Sequence, residues 1–365
     1  MSDNWLEPQI VPADNNCNNS AFLRAHIRVS YGILVVREGI SVSIFALRSP
    51  SPLKSYDFCT AKVAVLMCTY NGESYLSEQL DSFARQTHVN WALVVSDDGS
   101  QDGTLSLLDH YSNRWGPQRL RVLGGPGRGF AANFLSLTCR NDIDADFFAW
   151  SDQDDIWTDD KLEVALAWLQ TIPKHVPALY CGRTQLISDS GEPLGFSPHF
   201  RLPPGFPNAL VQSIAGGNTM VFNQAARELL REAGSELKIP AHDWWAYQLV
   251  SGVGGAIRYD PEPKMLYRQH SENLIGSNSG WFARLVRLRM VFQGRFYEWN
   301  EQNICALESM QQHLCEEHLA TLARFKAARG QTFFRRVRGI RLAGLYRQTF
   351  MGNLGLTLAT LLKKI

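Results

Sequence analysis

The chain has 365 residues, of which 45% are hydrophobic, 19% charged and 11% aromatic. That is enough apolar material for one large or two modest cores, and it excludes a disordered, collagenous or disulfide-stapled protein. Its 36 Lys and Arg nearly balance 35 Asp and Glu, for a net charge of +1, so the chain as a whole lacks the positive field of a nucleic-acid binder.

Residues 1–60 mix polar turns with short apolar runs and read as an N-terminal extension. The apolar stretches Gly32 to Val36 and Leu354 to Leu362 fall short of the roughly 20 residues a spanning helix needs, so no transmembrane helix is expected. From Lys62 the pattern sharpens. KVAVLMCTY reads as a buried strand, and Gly72 to Gln86 as a helix with Tyr75, Leu76, Leu80 and Phe83 at helical spacing. A second strand, Trp91 to Ser96, runs into the turn Asp97-Asp98-Gly99-Ser100, and Gly103 to Tyr111 reads as a helix. A third strand, Leu120 to Leu123, leads through the glycine loop Gly124 to Gly129 into another helix, and Asp146 to Trp150 is a fourth strand. Strands alternating with helices in this way imply βαβ units and a parallel sheet. Ligands of such sheets bind at the carboxyl ends of the strands. The loops Thr69 to Gly72, Asp97 to Ser100 and Ser151 to Trp157 should therefore share one edge and form one site.

Between about 175 and 275 the chain is irregular and richer in Pro and Gly, with apolar pieces at Ala178 to Tyr180 and Thr219 to Phe222. It is expected to cover the sheet and shape an acceptor pocket. Beyond Trp281 the pattern is helical and basic. Residues 281–365 hold 14 Lys or Arg against five Glu and no Asp, a surplus of nine, which leaves −8 on the rest of a chain whose net charge is +1. The expected layout is an extension over 1–60, an α/β domain over 61–275 and a basic helical region over 276–365. The seven cysteines, Cys17, Cys59, Cys68, Cys139, Cys181, Cys305 and Cys315, lack any CxxC spacing, a usage that fits a reducing cytosol.

Ser151-Asp152-Gln153-Asp154-Asp155-Ile156-Trp157 sets three carboxylates within four positions directly after an apolar strand. Carboxylates this dense repel unless a cation or solvent relieves them. Mg²⁺ or Mn²⁺ suits them, because such hard ions take oxygen ligands from one or two carboxylates and complete their shell with phosphate and water. The metal reading fits Asp152 and Asp154, whereas Asp159 and Asp160 fit the acidic start of a helix. Two further patterns compete. Gly127-Arg128-Gly129-Phe130-Ala131-Ala132 fits a GxGxxA dinucleotide fingerprint, but in the third strand–helix unit rather than the first. His313, Cys315 and His318 suggest zinc, yet a five-residue spacing does not bring the two histidines to one helical face, so surface positions are expected.

CTYNGESYLSEQLDSFARQT, then VVSDDGSQDGT, then FAWSDQDDIW, in that order, resembles the inverting family 2 glycosyltransferases of GT-A fold. That fold is a Rossmann-like, mostly parallel sheet flanked by helices, here with the helical basic extension after it. SDQDDIW and the later HDWW resemble bacterial rhamnosyltransferases of surface-polysaccharide assembly, and the likeness covers about residues 62–275. By position, the resemblance implies that Thr69 and Tyr70 border the nucleotide and that Asp97 hydrogen-bonds its base, with Asp98 beside it or capping the next helix. It also implies that Asp152 lies near the ribose, that Asp154 holds the metal with Asp155 in support, and that Asn133 lies at the nucleotide edge.

Asp243 matches the family's catalytic acid residue, which takes the acceptor's proton. Trp244 and Trp245 would wall the acceptor pocket and exclude water; otherwise Asp243 caps a helix and both tryptophans are core. In Tyr267-Arg268-Gln269-His270-Ser271-Glu272-Asn273, Arg268 and His270 would reach the diphosphate and metal, or be structural. The implied partners are a nucleotide-sugar donor, dTDP-rhamnose, and a lipid-linked glycan acceptor, with no nucleic acid. A sugar nucleotidyltransferase would need a basic glycine-rich loop after the first strand, where Cys68-Thr69-Tyr70-Asn71-Gly72 stands instead. A non-catalytic scaffold would not need Asp152, Asp154 and Asp243 together.

The tail interleaves Arg335, Arg336, Arg338, Arg341 and Arg347 with Phe333, Phe334, Val337, Ile340, Leu342, Leu345 and Phe350, and no acid follows Glu317. Such a stretch suits a helix lying on anionic lipid, and the resemblance implies the inner face of the cell membrane. A helix packed on the catalytic domain with a solvated basic face, or a nucleic-acid patch, is the other reading.

Overall fold

The structure, a computed structural model, describes Ile33–Glu38, Ser41–Ala46, residues 60–270 and residues 295–365. The chain divides into two units, Met1–Tyr56 and Asp57–Ile365. In the first, β1 (Ile33–Glu38) and β2 (Ser41–Ala46) pair antiparallel, with Glu38 opposite Ser41. The rest of the expected extension lies outside the described residues.

In the second unit the βα units appear in the expected order. They are β3 (Val63–Thr69), α1 (Leu76–Ala84), β4 (Trp91–Asp97), α2 (Thr104–Trp115), β5 (Leu120–Gly124), α3 (Phe130–Thr138) and β6 (Phe147–Ser151). Val63 to Met67 are all buried, as a strand covered on both faces by helices requires. α1 starts later than the sequence suggests, because Gly72 to Tyr75 form a turn held by loop contacts rather than a first helical turn. β6, β3, β4 and β5 run parallel, in that order across the sheet.

The later half does more than cover this sheet. After β7 (Ile156–Trp157) and α4 (Lys161–Leu169) come β8 (Ala178–Gly182), β9 (Gln185–Ile187), β10 (Pro193–Phe196) and α5 (Phe206–Ala209). β11 (Val221–Asn223), α6 (Gln224–Ala233), α7 (His242–Gly252), β12 (Ala256–Asp260) and β13 (Met265–Arg268) follow. β11, β8 and β12 extend the central sheet to seven strands in the order β12-β8-β11-β6-β3-β4-β5. β11 alone runs antiparallel to its neighbours, so the sheet is mixed but mostly parallel. These strands are three to five residues long, too short for periodicity to separate them from loop.

A second sheet, in the order β10-β9-β13-β7, positions the site. Met265 and Leu266 pair with Trp157 and Ile156, which brings the segment after β13 beside the loop between β6 and β7. Apolar layers cover both faces of the central sheet. Phe83, Trp91, Trp157 and Tyr180 belong to one, and Phe134, Trp150, Phe222 and Trp245 to the other. Trp150 donates its indole N–H to Thr138 Oγ1 at 2.9 Å, so its burial leaves no orphaned donor.

The chain ends in α8 (Arg295–Ser309), α9 (Glu316–Arg329), α10 (Phe333–Leu342) and α11 (Phe350–Leu361). Leu307, Phe325, Ile340 and Leu356 enter the second of the two cores, so this region is packed onto the α/β body. The expected division after residue 275 lies outside the described residues. Among the described residues, no helix is long and apolar enough to cross a membrane.

Candidate active site

The loop between β6 and β7 carries the carboxylates, and the structure gives each a different environment. Asp155 is fully buried. Its Oδ2 accepts from Asn218 Nδ2 at 2.5 Å and its Oδ1 from the Arg268 backbone N–H at 3.2 Å. Burial, then the charges of Asp154 and Asp152, push its carboxyl well above the usual carboxylate range. Asp154 Oδ2 meets His270 Nε2 at 2.7 Å, and His270 stacks on Tyr75 with ring centroids 5.2 Å apart. The Asp152 carboxyl is pushed up to about 8, first by burial and then by the charges of Asp154 and Asp243, with Lys161 opposing. Asp152 thus feels both Asp154 and Asp243, which joins the β6–β7 loop electrostatically to α7.

Whether these groups suit a divalent ion can be judged from the donor set. Asp152 and Asp154 are hard oxygen donors two positions apart whose repulsion Lys161 only partly offsets, and one imidazole stands on Asp154. Among the described residues no three His, Cys, Asp or Glu side chains are arranged to hold a metal. A Mg²⁺ or Mn²⁺ ion commonly uses only one or two carboxylates and takes the rest of its shell from phosphate and water, so the pair fits it in the presence of a diphosphate.

Asp243 is in the first turn of α7, and it is the only residue of that helix that is not buried. The helix runs through the core, and Asp243 is its opening toward the acidic loop. Burial pushes the Asp243 carboxyl up to about 6, while the backbone N–H groups of Trp244 and Gly217 hold it down from a higher value. Trp244 N–H donates to its Oδ1 at 2.6 Å. The helix begins at His242, with Ala241 at the N-cap position and no side-chain cap, so Asp243 lies inside the first turn rather than before the helix, where its charge favours the N-terminus.

Next to it, His242 is buried with neither ring nitrogen hydrogen-bonded. It stacks on Phe134 with centroids 3.9 Å apart and meets Trp150 edge-on at 4.7 Å. Burial holds its pKa down to about 3.

Several anticipated ligand contacts are instead internal bonds. Asp97 is buried, and both its oxygens are occupied. Oδ1 accepts from the Gly99 and Ser100 N–H groups, and Oδ2 from Thr69 Oγ1 at 2.8 Å and Ser100 Oγ at 2.6 Å. A carboxylate has about four acceptor positions, so a base contact requires displacing one of these, and the Thr69 hydroxyl is already used. Asn133 is buried, joined to Ser96 by Ser96 Oγ donating to Oδ1 and Nδ2 donating to Ser96 O. It pins α3 to the end of β4.

Asp98 accepts from Gly127 N–H at 2.6 Å and Gly129 N–H at 3.0 Å. It organises the glycine loop before α3, not the start of α2, and the glycine amides that a dinucleotide phosphate would need are taken. Arg268 is 2% exposed and donates to Glu78 Oε2, to the Asp189 carbonyl and to the Asp154 carbonyl. Its guanidinium lies over Tyr75 at 4.7 Å, so it ties β13 to α1 and the acidic loop.

The tryptophans are core. Trp245 is fully buried, and Trp244 is buried with its indole N–H donated to the Ala209 carbonyl at 2.6 Å. Neither walls an open acceptor pocket, because α7 is enclosed on nearly every side. His313 pairs with Glu232, and His318 meets the carbonyl of Gly252. Neither binds metal with Cys315, and His318 is a helix-end contact rather than a free surface residue. In the tail, Arg336 is buried and donates to the Thr360 and Gln331 carbonyls, and Arg347 donates to the Val211 carbonyl. Ile340 and Leu345 face the core. The outward groups are Phe334, Phe350, Met351, Leu354 and Leu342, beside a groove of about 400 Å³ lined by Phe333, Phe334, Val337, Arg338, Arg341, Leu342 and Leu361.

Sequence reasoning missed Gln153. Its amide accepts from Tyr70 N–H at 2.8 Å and donates to the Tyr70 carbonyl at 2.9 Å, clamping the first loop to the acidic loop while the Tyr70 side chain stays exposed. A Cβ on Gly72 would come within 2.4 Å of the Gln153 amide, so that glycine is the trace the clamp leaves in the sequence. Glu78, Lys161, Asn218 and His242 were also missed.

Residues 64–228 match the family model described as Glycosyl transferase family 2. The dTDP-rhamnosyl transferase RfbG of Shigella flexneri is 29% identical over 242 residues, covering 62% of this chain and 78% of that protein. An uncharacterized protein of Mycobacterium tuberculosis is 27% identical over 220 residues, 58% of this chain and 60% of its own length. Among solved structures, residues 1–349 of TarS from S. aureus match with a TM-score of 0.46 and 16% identity, over 77% of this chain and 90% of that one.

Proposed function

Residues 64–228 of this chain are a family 2 glycosyltransferase domain, and from that premise we propose an inverting, metal-assisted transfer of a sugar from a nucleotide donor to a carbohydrate acceptor. The observation that carries the proposal is that Asp152 feels the charges of both Asp154 and Asp243. A carboxylate pushed up to about 6, the one unburied residue of its helix, feels the same field as the acidic loop. A base with a pKa just below neutrality is largely unprotonated at pH 7 and still basic enough to accept a proton.

In this reading the acceptor hydroxyl attacks the anomeric carbon from the face opposite the leaving group. Asp243 takes the hydroxyl proton as the new glycosidic bond forms, and the bond to the nucleoside diphosphate breaks with its electron pair leaving on the diphosphate oxygen. Asp152 and Asp154, with His270 orienting Asp154, would hold the divalent ion. The ion supplies charge neutralisation at the departing diphosphate. Tyr70, exposed on the rim beside the clamped loop, borders the nucleotide.

We further assign the donor as dTDP-rhamnose and the acceptor as a lipid-linked polysaccharide precursor at the inner face of the cell membrane. The donor assignment is supported by SDQDDIW and by the likeness to a dTDP-rhamnosyl transferase. The membrane assignment is supported by the outward apolar residues of α10 and α11 beside Arg338 and Arg341, a pairing suited to anionic lipid.

The test is thermal unfolding with dTDP, UDP and GDP, each with Mn²⁺ and again with chelator, on the native protein and on Asp154→Asn. A nucleotide at about a hundred times its dissociation constant adds roughly 2.7 kcal/mol and raises the midpoint by several degrees. Stabilisation by dTDP with Mn²⁺, lost with chelator and in Asp154→Asn, is the expected result. A folded protein that no nucleotide stabilises would overturn the assignment.

A further inference from the structure

The short turn Gly216-Gly217-Asn218-Thr219, just before β11, contacts both halves of the site. Asn218 is buried, and its Nδ2 donates to Asp155 Oδ2 at 2.5 Å, while its backbone carbonyl accepts from Lys161 Nζ at 2.5 Å. Lys161 is 1% exposed and stands 3.4 Å over the Trp157 ring, so it enters from α4 beneath the acidic loop. Asp155 in turn holds the Arg268 backbone N–H, and Arg268 reaches the Asp154 carbonyl. One buried chain of contacts therefore runs from Lys161 through Asn218 and Asp155 to the segment that presents His270 to Asp154.

The other end of the turn bears on the base. The Gly217 backbone N–H favours the charged form of the Asp243 carboxyl and so lowers its pKa. A Cβ on Gly217 would lie 2.3 Å from His242 Nε2, and one on Gly216 would lie 2.7 Å from Asn218 Oδ1. The two glycines serve close approach, since neither needs a left-handed backbone. His242 cannot retreat, because it is buried and flanked by Phe134, Trp150 and Phe130. Any group added at Gly217 must displace His242 or the turn, and either moves the residue next to Asp243.

We propose that Gly217, Asn218 and Lys161 are positioning residues that hold the acidic loop and Asp243 in register through this one turn. The inference rests on the glycosyltransferase reading, and it separates the two functions of the turn. The Asn218 side chain acts through Asp155 on donor binding, and Gly217 acts through His242 on the proton-accepting step.

Three variants test it: Asn218→Ala, Gly217→Ala and Lys161→Met. Asn218→Ala removes only the bond to Asp155, because Lys161 uses the backbone carbonyl. Two readouts apply at a temperature where circular dichroism shows each variant folded. They are calorimetric binding of dTDP with Mn²⁺, and turnover of dTDP-L-rhamnose to dTDP with water as acceptor.

Loss of the buried hydrogen bond that holds Asp155 should weaken dTDP about tenfold in Asn218→Ala and raise the donor KM to match, with kcat changed less than about threefold. Gly217→Ala should lower kcat about tenfold or more while dTDP binding stays within about twofold. Lys161→Met should follow Asn218→Ala in direction. If Lys161→Met fails to fold, the split between the other two variants still decides. In the double variant Asn218→Ala/Asp155→Asn, binding should be no weaker than in Asp155→Asn alone.

Folded single variants that bind and turn over like the native protein, equal effects of Asn218→Ala and Gly217→Ala on KM and kcat, or additive losses in the double variant would each overturn the proposal. Failure of the native protein to bind dTDP overturns the underlying activity instead, so the two failures are distinguishable.

Discussion

Replacing Asp243 with Asn should abolish most of the activity and at the same time stabilise the fold. The side chain is pushed up to about 6 by burial, whereas an unfolded aspartate titrates near about 3.9. The sign follows from which state binds more protons. A carboxyl whose folded pKa is raised leaves the folded state fully stable below about pH 4, and stability is lost as pH rises through about 6. The difference between the folded and unfolded carboxyl corresponds to about 3 kcal/mol at pH 7 to 8, an upper value because Asp243 keeps some contact with solvent. Asparagine keeps an oxygen for the Trp244 N–H group and carries no charge to desolvate. The variant should therefore melt at the native temperature at pH 4 and up to about 5 to 10 °C higher at pH 8. Turnover should fall about 10²- to 10⁴-fold with dTDP binding retained. Paired melting curves at pH 4 and 8, with turnover at pH 8, decide the matter. If the native and variant midpoints keep a constant difference across pH, Asp243 is not a strained carboxyl. If turnover persists, it is not the base.

Three other outcomes are expected. His242, held down to about 3 by burial, charges near about 6.5 in the unfolded chain, so its contribution to stability is present above that value and drains away at lower pH. At pH 4.5 His242→Phe should exceed the native protein by about 3 kcal/mol relative to their difference at pH 7.5, read from urea unfolding. Gln153→Ala removes both bonds to the Tyr70 backbone, and should cost about 1 to 2 kcal/mol in unfolding and weaken dTDP severalfold by calorimetry; unchanged affinity would show that the clamp is irrelevant to the donor. Phe334 and Phe350 are more than 80% exposed. Phe334→Glu combined with Phe350→Glu should halt co-sedimentation with phosphatidylglycerol vesicles while leaving dTDP binding intact, and equal sedimentation of native and variant protein would remove the lipid reading.

The sequence by itself determined the order of the βα units, the edge at which their loops converge and the density of carboxylates after β6. These are local properties. A buried parallel strand reads as an apolar run, and a loop after it reads as polar residues and glycine. Asp243 was also visible, through the likeness of HDWW to the family's motif. The tertiary structure alone decided which polar groups remain free. Asp97, Asn133 and Arg268 looked like ligand contacts, yet each is occupied by partners far away in the chain, as with Thr69 for Asp97 and Glu78 for Arg268. Trp244 and Trp245 turned from pocket wall to core for the same kind of reason, since burial on every side of α7 depends on α5, α8 and the sheet together. Hydrogen-bond capacity and enclosure are properties of a neighbourhood assembled from distant segments, and Asn218, 63 residues from the Asp155 that it holds, carries no mark of that contact in its own surroundings along the chain.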